Sequence, residues 1–297
     1  MLVAITGGDG DLGRAMQRCA PSGYSVRVID RQAEPKSNTD DYRQVDVLEL
    51  PALTEAFRNV DAVVHLAALR SPYEAPPATV FMVNAQGSYH VTLACEAMGI
   101  QSVVYASSIC YYGYLFRSQL AEPPYFPIDE DTPSYAEDSY SLSKRVGEDI
   151  MKAFVQRTAG SVVSLRYAYL LAGGATGEPL KHDSARDMST DASSAKSWWT
   201  YIDLDDAAAA TWLALQYAVE RHGSYEAFNI GADDTHASKP TMELLHQVYP
   251  QVELRYPTAL GDTSFTALYS NTRARRTLGF RPSTSTWRDR ARLKDLA

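Results

Sequence analysis

The sequence predicts an α/β fold, with a doubly wound parallel sheet and a small C-terminal substrate-binding lobe. Three observations predict it. Strand-like and helix-like segments alternate through the first 170 residues, several strand-like runs are almost entirely apolar, and a glycine-rich turn joins the first strand to the first helix. Such alternation builds βαβ units, and continuous apolar runs are typical of parallel strands that are buried on both faces.

The apolar runs predict the strands, and the segments between them predict the helices. The predicted strands are 2–6, 25–30, 43–47, 62–68, 102–108 and 161–167, and the predicted helices are 11–20, 51–58, 77–98 and 138–158. Right-handed crossovers bring the carboxyl ends of such strands to one edge of the sheet. Ligands bind at that edge, where the strand order reverses, so we expect the functional site there.

After residue 170 the composition changes. Residues 171–197 are rich in Gly, Ser, Thr, Ala and Asp, which is typical of a long loop. Short elements follow, with strands predicted at 199–202 and 226–231 and helices at 206–221, 241–249 and 272–278. Because these elements are too fragmentary for an independent core, we expect residues 171–297 to form a small lobe, with interleaved elements, packed on residues 1–170.

The glycine-rich turn indicates a dinucleotide site. Gly7, Gly10 and Gly13 follow an apolar strand at intervals of three and lead into a helix. Gly7 allows the tight turn, Gly10 lets the backbone approach a pyrophosphate, and Gly13 lets the helix pack closely. The helix that begins near Asp11 presents free backbone amides to the phosphates. Residues 1–170 are therefore predicted to form a Rossmann-type NAD-binding domain.

An acidic residue at the end of the second predicted strand indicates which dinucleotide binds. Asp30 lies about 20 residues beyond the glycine turn, where its carboxylate can accept both ribose hydroxyls of the adenosine half. Its charge would repel the extra phosphate of NADP, so NAD is favoured. Arg31 could instead meet a 2′-phosphate, which leaves NADP open as the alternative.

Composition narrows the functional class. The chain of 297 residues is 45% hydrophobic and 22% charged, and its net charge of −8 argues against nucleic acid or an anionic membrane as partner. The first strand leaves no room for a signal peptide, and no apolar stretch reaches transmembrane length. Three cysteines without metal-type spacing and six scattered histidines predict a cytoplasmic protein with free thiols and no metal site.

A tyrosine and a lysine four residues apart indicate acid/base chemistry. Tyr140 and Lys144 lie on one predicted helix, and residues at this spacing share a helical face. A phenol with its ordinary pKa of about 10 is a poor base at neutral pH. Because a neighbouring cation favours the phenolate, Lys144 would make general acid/base work by Tyr140 feasible.

The strand before this helix ends in hydroxyl groups. Ser108 follows Ser107 at the carboxyl end of the predicted strand 102–108, the end that faces the ligand crevice in a doubly wound sheet. A serine there can hydrogen-bond a substrate hydroxyl or carbonyl beside the tyrosine. The alternative is that Ser108 caps the following turn.

These three motifs, in this order, resemble the short-chain dehydrogenase/reductase superfamily, in particular its extended branch, the NAD-dependent epimerase/dehydratase family. The resemblance covers residues 1–170 well and the rest loosely. It implies hydride transfer between a nicotinamide and a carbon that bears a hydroxyl or carbonyl. Tyr140 would move the hydroxyl proton, Lys144 would adjust its pKa and bind the nicotinamide ribose, and Ser108 would hold the reacting oxygen.

Further site residues follow from the resemblance and from position. Asp46 and Val47 are similar to the family's adenine-contacting pair, and Asn84 matches an Asn on its next long helix. The predicted cofactor-binding residues are Gly7, Gly10, Asp11, Leu12, Gly13, Asp30, Arg31, Asp46, Val47, Leu66, Ala67, Ala68, Asn84, Ala106, Tyr140, Lys144 and Tyr167. The predicted substrate residues are Ser108, Ile109, Tyr111, Arg117, Tyr169 and Trp199.

Two aromatic segments leave two interpretations open. The stretch 111–126 is dense in aromatic rings, on which sugar faces pack, and it includes Arg117, which could pair with a substrate carboxylate. The alternative is a loop folded over its own hydrophobic side chains. Trp198 and Trp199 allow the same two interpretations, as a pocket wall or as core.

The chain departs from the nucleotide-sugar epimerases of this branch. Tyr169 stands where they usually carry an Asn, and Arg186 is the only Arg between Arg166 and Arg221. A diphosphate normally binds Arg forks, and few are present here. The uronate dehydrogenases of the branch, which oxidise free sugar acids, share the shortened lobe and a Trp in the corresponding strand.

The sequence therefore predicts an NAD-dependent oxidoreductase that acts on a sugar, a sugar acid or a related small molecule. The first alternative is a UDP-sugar 4-epimerase or a dehydratase with tightly bound NAD, and the second is a non-enzymatic dinucleotide sensor. The resemblance also implies a homodimer that pairs the helices 77–98 and 138–158 across a twofold axis.

Overall fold

The computed structural model of the chain describes residues 1–37, 39–171, 192–256 and 264–283. Its strands are β1 Leu2–Thr6, β2 Ser25–Asp30, β3 Tyr42–Gln44, β4 Ala62–His65, β5 Ser102–Ser108, β6 Tyr125–Phe126, β7 Ser161–Tyr167, β8 Tyr169–Leu171, β9 Tyr201–Asp203, β10 Ser224–Ile230 and β11 Glu253–Leu254. Within the described ranges, seven of them form one parallel sheet in the order β10-β7-β5-β4-β1-β2-β3. The strand order reverses between β1 and β4, which confirms the predicted doubly wound sheet.

Helices cover both faces of this sheet. They are α1 Asp11–Arg18, α2 Leu50–Ala56, α3 Pro77–Phe81, α4 Gly87–Met98, α5 Ser139–Thr158, α6 Ala192–Lys196, α7 Leu204–Val219, α8 Thr241–Val248 and α9 Thr272–Thr277. Helices α1 and α7 pack together on one face, and α2, α4 and α5 pack on the other. The predicted helix 77–98 is interrupted, because a π-helical segment, Met82–Gln86, separates α3 from α4. None of these described helices is long and apolar enough to cross a membrane.

Adjacent apolar residues of the central strands point to opposite faces. Val104 and Val163 enter the core under α1 and α7, whereas Val103 and Val162 enter the core under α2, α4 and α5. Side chains alternate along a strand, so a strand that is buried on both faces needs an apolar residue at nearly every position. This requirement explains the continuous apolar runs from which the strands were predicted.

The sheet does not end at residue 170. Strand β10 pairs with β7 at the sheet edge, and Trp212 of α7 lies in the same core cluster as Val3 of β1. The indole Nε1 of Trp212 also donates to the carbonyl oxygen of Met16, 3.1 Å away, in α1. Residues beyond 170 therefore contribute to the sheet itself, because β10 completes one edge and α7 covers one face.

The strand predicted at 199–202 would begin at Trp199. In the structure, neither Trp198 nor Trp199 belongs to a strand. Trp198 and Trp199 have φ values of 57° and 52°, in the left-handed region, and the strand β9 starts only at Tyr201. Both indoles are fully buried, with Trp198 stacked on Tyr269 and Trp199 edge-on to Tyr249. The backbone therefore turns at this point in order to place two large rings in the core.

A buried ion pair joins α5 to the sheet. Glu148 is fully buried, and its carboxylate accepts hydrogen bonds from Nε and Nη2 of Arg166, at 2.9 and 2.8 Å. Ser107 of β5 and Tyr225 of β10 donate to the same carboxylate at 2.6 and 2.9 Å. Arg166 also donates to the hydroxyl of Tyr112, 2.9 Å away. One charge pair thus links α5 to the neighbouring strands β5, β7 and β10.

We expect Arg166→Met to destabilise the fold by about 3–5 kcal/mol, because it leaves the carboxylate of Glu148 buried without its cation. Urea unfolding followed by circular dichroism measures the change in the free energy of unfolding. The matched control is Arg157→Met, which removes a partly exposed guanidinium whose Nε lies 3.3 Å from Glu96. This control is expected to cost at most about 1 kcal/mol. Equal losses in the two variants would contradict the role given to the buried pair.

Candidate active site

The glycine turn shapes one wall of the site. Gly7 has a φ of +67°, and its amide donates to the carbonyl oxygen of Ile29, 2.8 Å away. A Cβ at Gly13 would lie 2.4 Å from the carbonyl oxygen of Gly8, so only glycine lets α1 approach the turn this closely. Gly10 is the N-cap of α1 and supplies no side-chain cap. The first amides of α1 are therefore left for another acceptor, as an anionic phosphate requires.

A cleft of about 960 Å³ runs along the carboxyl ends of the strands, past this turn. It crosses the point between β1 and β4 where the strand order reverses. The predicted site residues that line it are Gly7, Gly10, Asp11, Leu12, Gly13, Asp30, Arg31, Asp46, Val47, Leu66, Ala67, Ala68, Ala106, Ser108, Ile109, Tyr140, Lys144, Tyr167 and Tyr169. The fold thus brings residues of seven separate segments to one surface, and their individual roles stay predictions.

Four predicted residues are missing from the described lining of the cleft. Asn84 lies behind the wall, where its amide group exchanges hydrogen bonds of 2.8 and 2.9 Å with the backbone of Leu69. The guanidinium of Arg166 lies over the ring of Tyr111, with 3.6 Å between its Cζ and the ring centroid. Arg117 pairs instead with Glu137, at 3.2 Å, and Trp199 is packed in the core. Their roles in binding a cofactor or a substrate stay predictions.

Two carboxylates meet at the adenosine end of the cleft. Asp30 accepts a hydrogen bond from the amide of Asp9, 3.2 Å away. The Asp9 side chain, only 3% exposed, accepts hydrogen bonds of 2.7 to 3.0 Å from the amides of Lys36 and Ser37. Burial would raise the pKa of Asp9, but these hydrogen bonds and the charge of Arg14 outweigh it, and the pKa lies below its ordinary value. Sequence reasoning missed Asp9, although an acid inside a glycine turn was a usable signal.

The helix α5 presents the tyrosine and the lysine to the cleft. Asp138 caps its N-terminus by accepting hydrogen bonds from the amides of Tyr140 and Ser141, at 3.0 and 2.9 Å. Lys144 Nζ donates to the carbonyl oxygen of Ala106, 2.7 Å away, and lies 5.6 Å from the centre of the Tyr140 ring. The spacing of four residues on one helix therefore places phenol and ammonium on the same side, as predicted.

Burial disfavours the charged form of both groups. It raises the pKa of Tyr140, with a further rise from Cys110, whereas a hydrogen bond with Ser108 acts to lower it. Burial lowers the pKa of Lys144 to about 8, although Cys110 and Glu148 act in the opposite direction. Lys144 is therefore still mostly an ammonium at pH 7, but it needs its carbonyl acceptor and an anion close by.

A further set of residues, which we call the substrate end, lies near Tyr140 in the cleft. The Phe116 ring meets the Tyr140 ring edge-on at 5.9 Å between centroids, and the Tyr73 ring meets Phe116 in the same way at 5.7 Å. The substrate end consists of Ser108, Leu115, Phe116, Tyr140 and the segment from Arg70 to Glu74. The last segment carries no motif, so sequence reasoning did not find it.

The residues of the cleft fit a dinucleotide. The uncapped amides of α1 are donors for phosphate oxygens, and the carboxylate of Asp30 is an acceptor for ribose hydroxyls. The apolar side chains of Val47 and Leu66 border the same cleft and suit the adenine ring. The donors, acceptors and apolar surface that NAD requires thus all occur in this cleft.

The chain matches the NAD dependent epimerase/dehydratase family over residues 3–231. It is 29% identical to an L-arabinose 1-dehydrogenase (NAD(P)(+)) of Haloferax volcanii, over 62% of this chain and 72% of that protein. It is 27% identical to a uronate dehydrogenase of Pseudomonas syringae pv. tomato, over 67% of this chain and 65% of that protein. A UDP-glucose 4-epimerase of Brucella ovis, solved in complex with NAD, superposes with a TM-score of 0.72 at 22% identity, covering 96% of this chain and 94% of that one.

These matches confirm the predicted enzyme class and the predicted cofactor, NAD. The family match takes in the glycine turn, Ser108, Tyr140 and Lys144, and it extends through β10. The resemblance that was drawn from the first 170 residues therefore continues to the edge strand of the sheet. The chain belongs to the NAD dependent epimerase/dehydratase family.

Proposed function

We propose that this protein is an NAD-dependent oxidoreductase that transfers hydride to or from a hydroxyl-bearing carbon of a free sugar, a sugar acid or a related small molecule. One observation carries the proposal. The side chains of Ser108, Tyr140 and Lys144 line the same cleft as the glycine turn and Asp30. A group that moves a proton and a cofactor that accepts a hydride can therefore act on one substrate carbon.

The chain's own residues supply the proton chemistry. NAD, when bound, supplies the hydride acceptor. In the oxidation, Tyr140 takes the proton of the substrate hydroxyl while the carbon loses its hydride, so the C–O bond becomes a carbonyl. Ser108 holds the reacting oxygen by a hydrogen bond. In the reduction the neutral phenol of Tyr140 gives this proton back to the carbonyl oxygen, which leaves the phenolate that takes the proton in the oxidation. The ammonium of Lys144, held by the carbonyl of Ala106, stabilises that phenolate.

The charges of the cleft favour a free sugar over a nucleotide sugar. A diphosphate is normally held by Arg forks. Among the described residues of the substrate end the only Arg is Arg70, and its Nε lies 3.4 Å from the carboxylate of Glu74. Arg186 falls outside the described residues. The similarity to an L-arabinose dehydrogenase and a uronate dehydrogenase supports the same substrate class.

A 4-epimerase with tightly bound NAD is the second candidate. The superposition on a UDP-glucose 4-epimerase over almost the whole chain favours it, and the same three side chains would serve that reaction. An epimerase returns its hydride to the substrate, so it shows no net reduction of added NAD. Sustained formation of NADH from a free sugar separates the oxidoreductase from the epimerase.

We also propose that the protein acts in the cytoplasm as a homodimer. Its three cysteines are all unpaired, and two of them are buried, which suits a reducing compartment. The helices α4 and α5 lie side by side, and Tyr89 and Met98 of α4 leave large apolar side chains exposed. A second copy packed on this face would cover them.

We expect Tyr140→Phe to lower kcat/KM for sugar oxidation by about 10²–10⁴-fold, because it removes the group that takes the proton. NADH absorbance measures the rate, and titration of NAD by protein fluorescence is expected to give an unchanged Kd. Tyr114→Phe is the matched control, since the Tyr114 hydroxyl is buried without a hydrogen-bond partner in the structure and lies outside the cleft lining. Full activity of Tyr140→Phe would overturn the assigned proton transfer.

We expect Asp30→Asn to reduce the preference for NAD over NADP by about tenfold or more. The variant loses a charged acceptor for the ribose hydroxyls and no longer repels a 2′-phosphate. The ratio of kcat/KM for the two cofactors, at a fixed sugar concentration, measures the change. Asp40→Asn removes the same charge from an exposed position outside the cleft lining and should leave the ratio unchanged. An unaltered ratio in Asp30→Asn would mean that another group selects the cofactor.

A further inference from the structure

The segment from Arg70 to Glu74 lies beside the catalytic tyrosine. It follows the cleft residues Leu66 to Leu69, and its Tyr73 ring reaches Phe116, which in turn contacts Tyr140. Arg70, Ser71 and Glu74 all line the cleft. A substrate whose reacting carbon is close to Tyr140 therefore extends its remaining groups toward this segment.

At this segment the carboxylates of Glu74 and Asp11 outnumber the one guanidinium beside them, that of Arg70. Glu74 accepts a hydrogen bond from the amide of Arg70 at 3.0 Å, and its other oxygen lies 3.4 Å from Arg70 Nε. The Arg70 side chain is 77% exposed, and its Nη1 also lies 3.9 Å from the carboxylate of Asp11. Such an exposed pair is weak, and one guanidinium is shared between two acids. Lys144 is already bonded to the carbonyl of Ala106.

The carboxylate of Glu74 also acts on the catalytic group. Burial is the main cause of the raised pKa of Tyr140, and the charge of Glu74 adds to it. The side chains of Glu74, Phe116 and Tyr140 all line the same cleft. Phe116 stands between their segments and offers an apolar ring face. Together they form a pocket with one acidic and one aromatic side, which suits the hydroxyls and C–H faces of a sugar.

We infer that Glu74 selects substrates by their charge. Its carboxylate accepts hydrogen bonds from the hydroxyls of a neutral free sugar and disfavours the binding of sugar acids and nucleotide sugars. The inference rests on the proposed oxidoreductase function and narrows its substrate class. Two oxygens with several lone pairs can accept from adjacent hydroxyls, and hydrogen bonds to an ionised group are the stronger kind. The same charge repels a substrate carboxylate or phosphate brought to this end.

The test compares two substrates that differ only at C6, D-galactose and D-galacturonate, with NAD in excess. We expect the wild type to prefer the neutral sugar. Glu74→Gln should lower kcat/KM for the neutral sugar by about tenfold, mainly through KM, and lower the neutral-to-acid ratio by at least as much. Glu137→Gln is the matched control. It removes the acid of another Arg–Glu pair, with Arg117 at 3.2 Å, outside the cleft lining, and should change neither value.

Each further outcome overturns a defined statement. An unchanged ratio in Glu74→Gln, while the variant retains its activity and its NAD affinity, overturns the role of Glu74 alone. If the wild-type protein prefers the sugar acid and the variant Arg70→Met loses that preference, recognition belongs to Arg70. That result also overturns the role of Glu74. A wild type that binds NAD but forms no NADH with any free sugar or sugar acid overturns the proposed function, and the inference with it.

Discussion

The site depends on the buried pair of Glu148 and Arg166. The carboxylate of Glu148 accepts hydrogen bonds from Ser107 of β5 and Tyr225 of β10, and the guanidinium of Arg166 belongs to β7. Since α5 carries Tyr140 and Lys144, and β5 carries Ser108, the pair fixes the distance between the two sets of reacting groups. Buried charges contribute little net stability when they are paired, but removing one partner is costly. The pair therefore specifies one arrangement of helix against sheet, and the chemistry requires that arrangement.

The same burial that fixes these groups also sets their acidity. A phenol and an amine taken from water both favour their neutral forms, so Tyr140 rises in pKa and Lys144 falls to about 8. Because the ordinary pKa values of the two groups are nearly equal, burial moves the groups apart in proton affinity and makes the neutral phenol the resting form of Tyr140. The ammonium of Lys144, which the carbonyl of Ala106 holds, is then the group placed to stabilise a phenolate.

The sequence predicted those parts of the fold that depend on local pattern. Apolar runs located the six strands that the first 170 residues contribute to the seven-stranded sheet, and the residues of the glycine turn and of the Tyr-Lys pair line one cleft. Contacts between distant segments were not predictable in this way. The left-handed backbone at Trp198 and Trp199 follows from packing on Tyr269 and Tyr249, and no short-range signal marks it. Glu74 is likewise placed by the contact of its neighbour Tyr73 with Phe116, which lies 43 positions further along the chain.

Carboxylates stand at both ends of the cleft, and at the substrate end the neighbouring cation, Arg70, is already partly engaged. At the adenosine end, Asp30 carries the charge that a 2′-phosphate would meet, and Asp9 is occupied in holding the amides of Lys36 and Ser37. At the substrate end, Glu74 shares Arg70 with Asp11. The uncapped amides of α1 remain available as donors to a phosphate, since a helix N-terminus supplies partial positive charge without a mobile side chain. A cofactor that brings its phosphates to α1, and a substrate that brings neutral hydroxyls to Glu74, would match this distribution of charge.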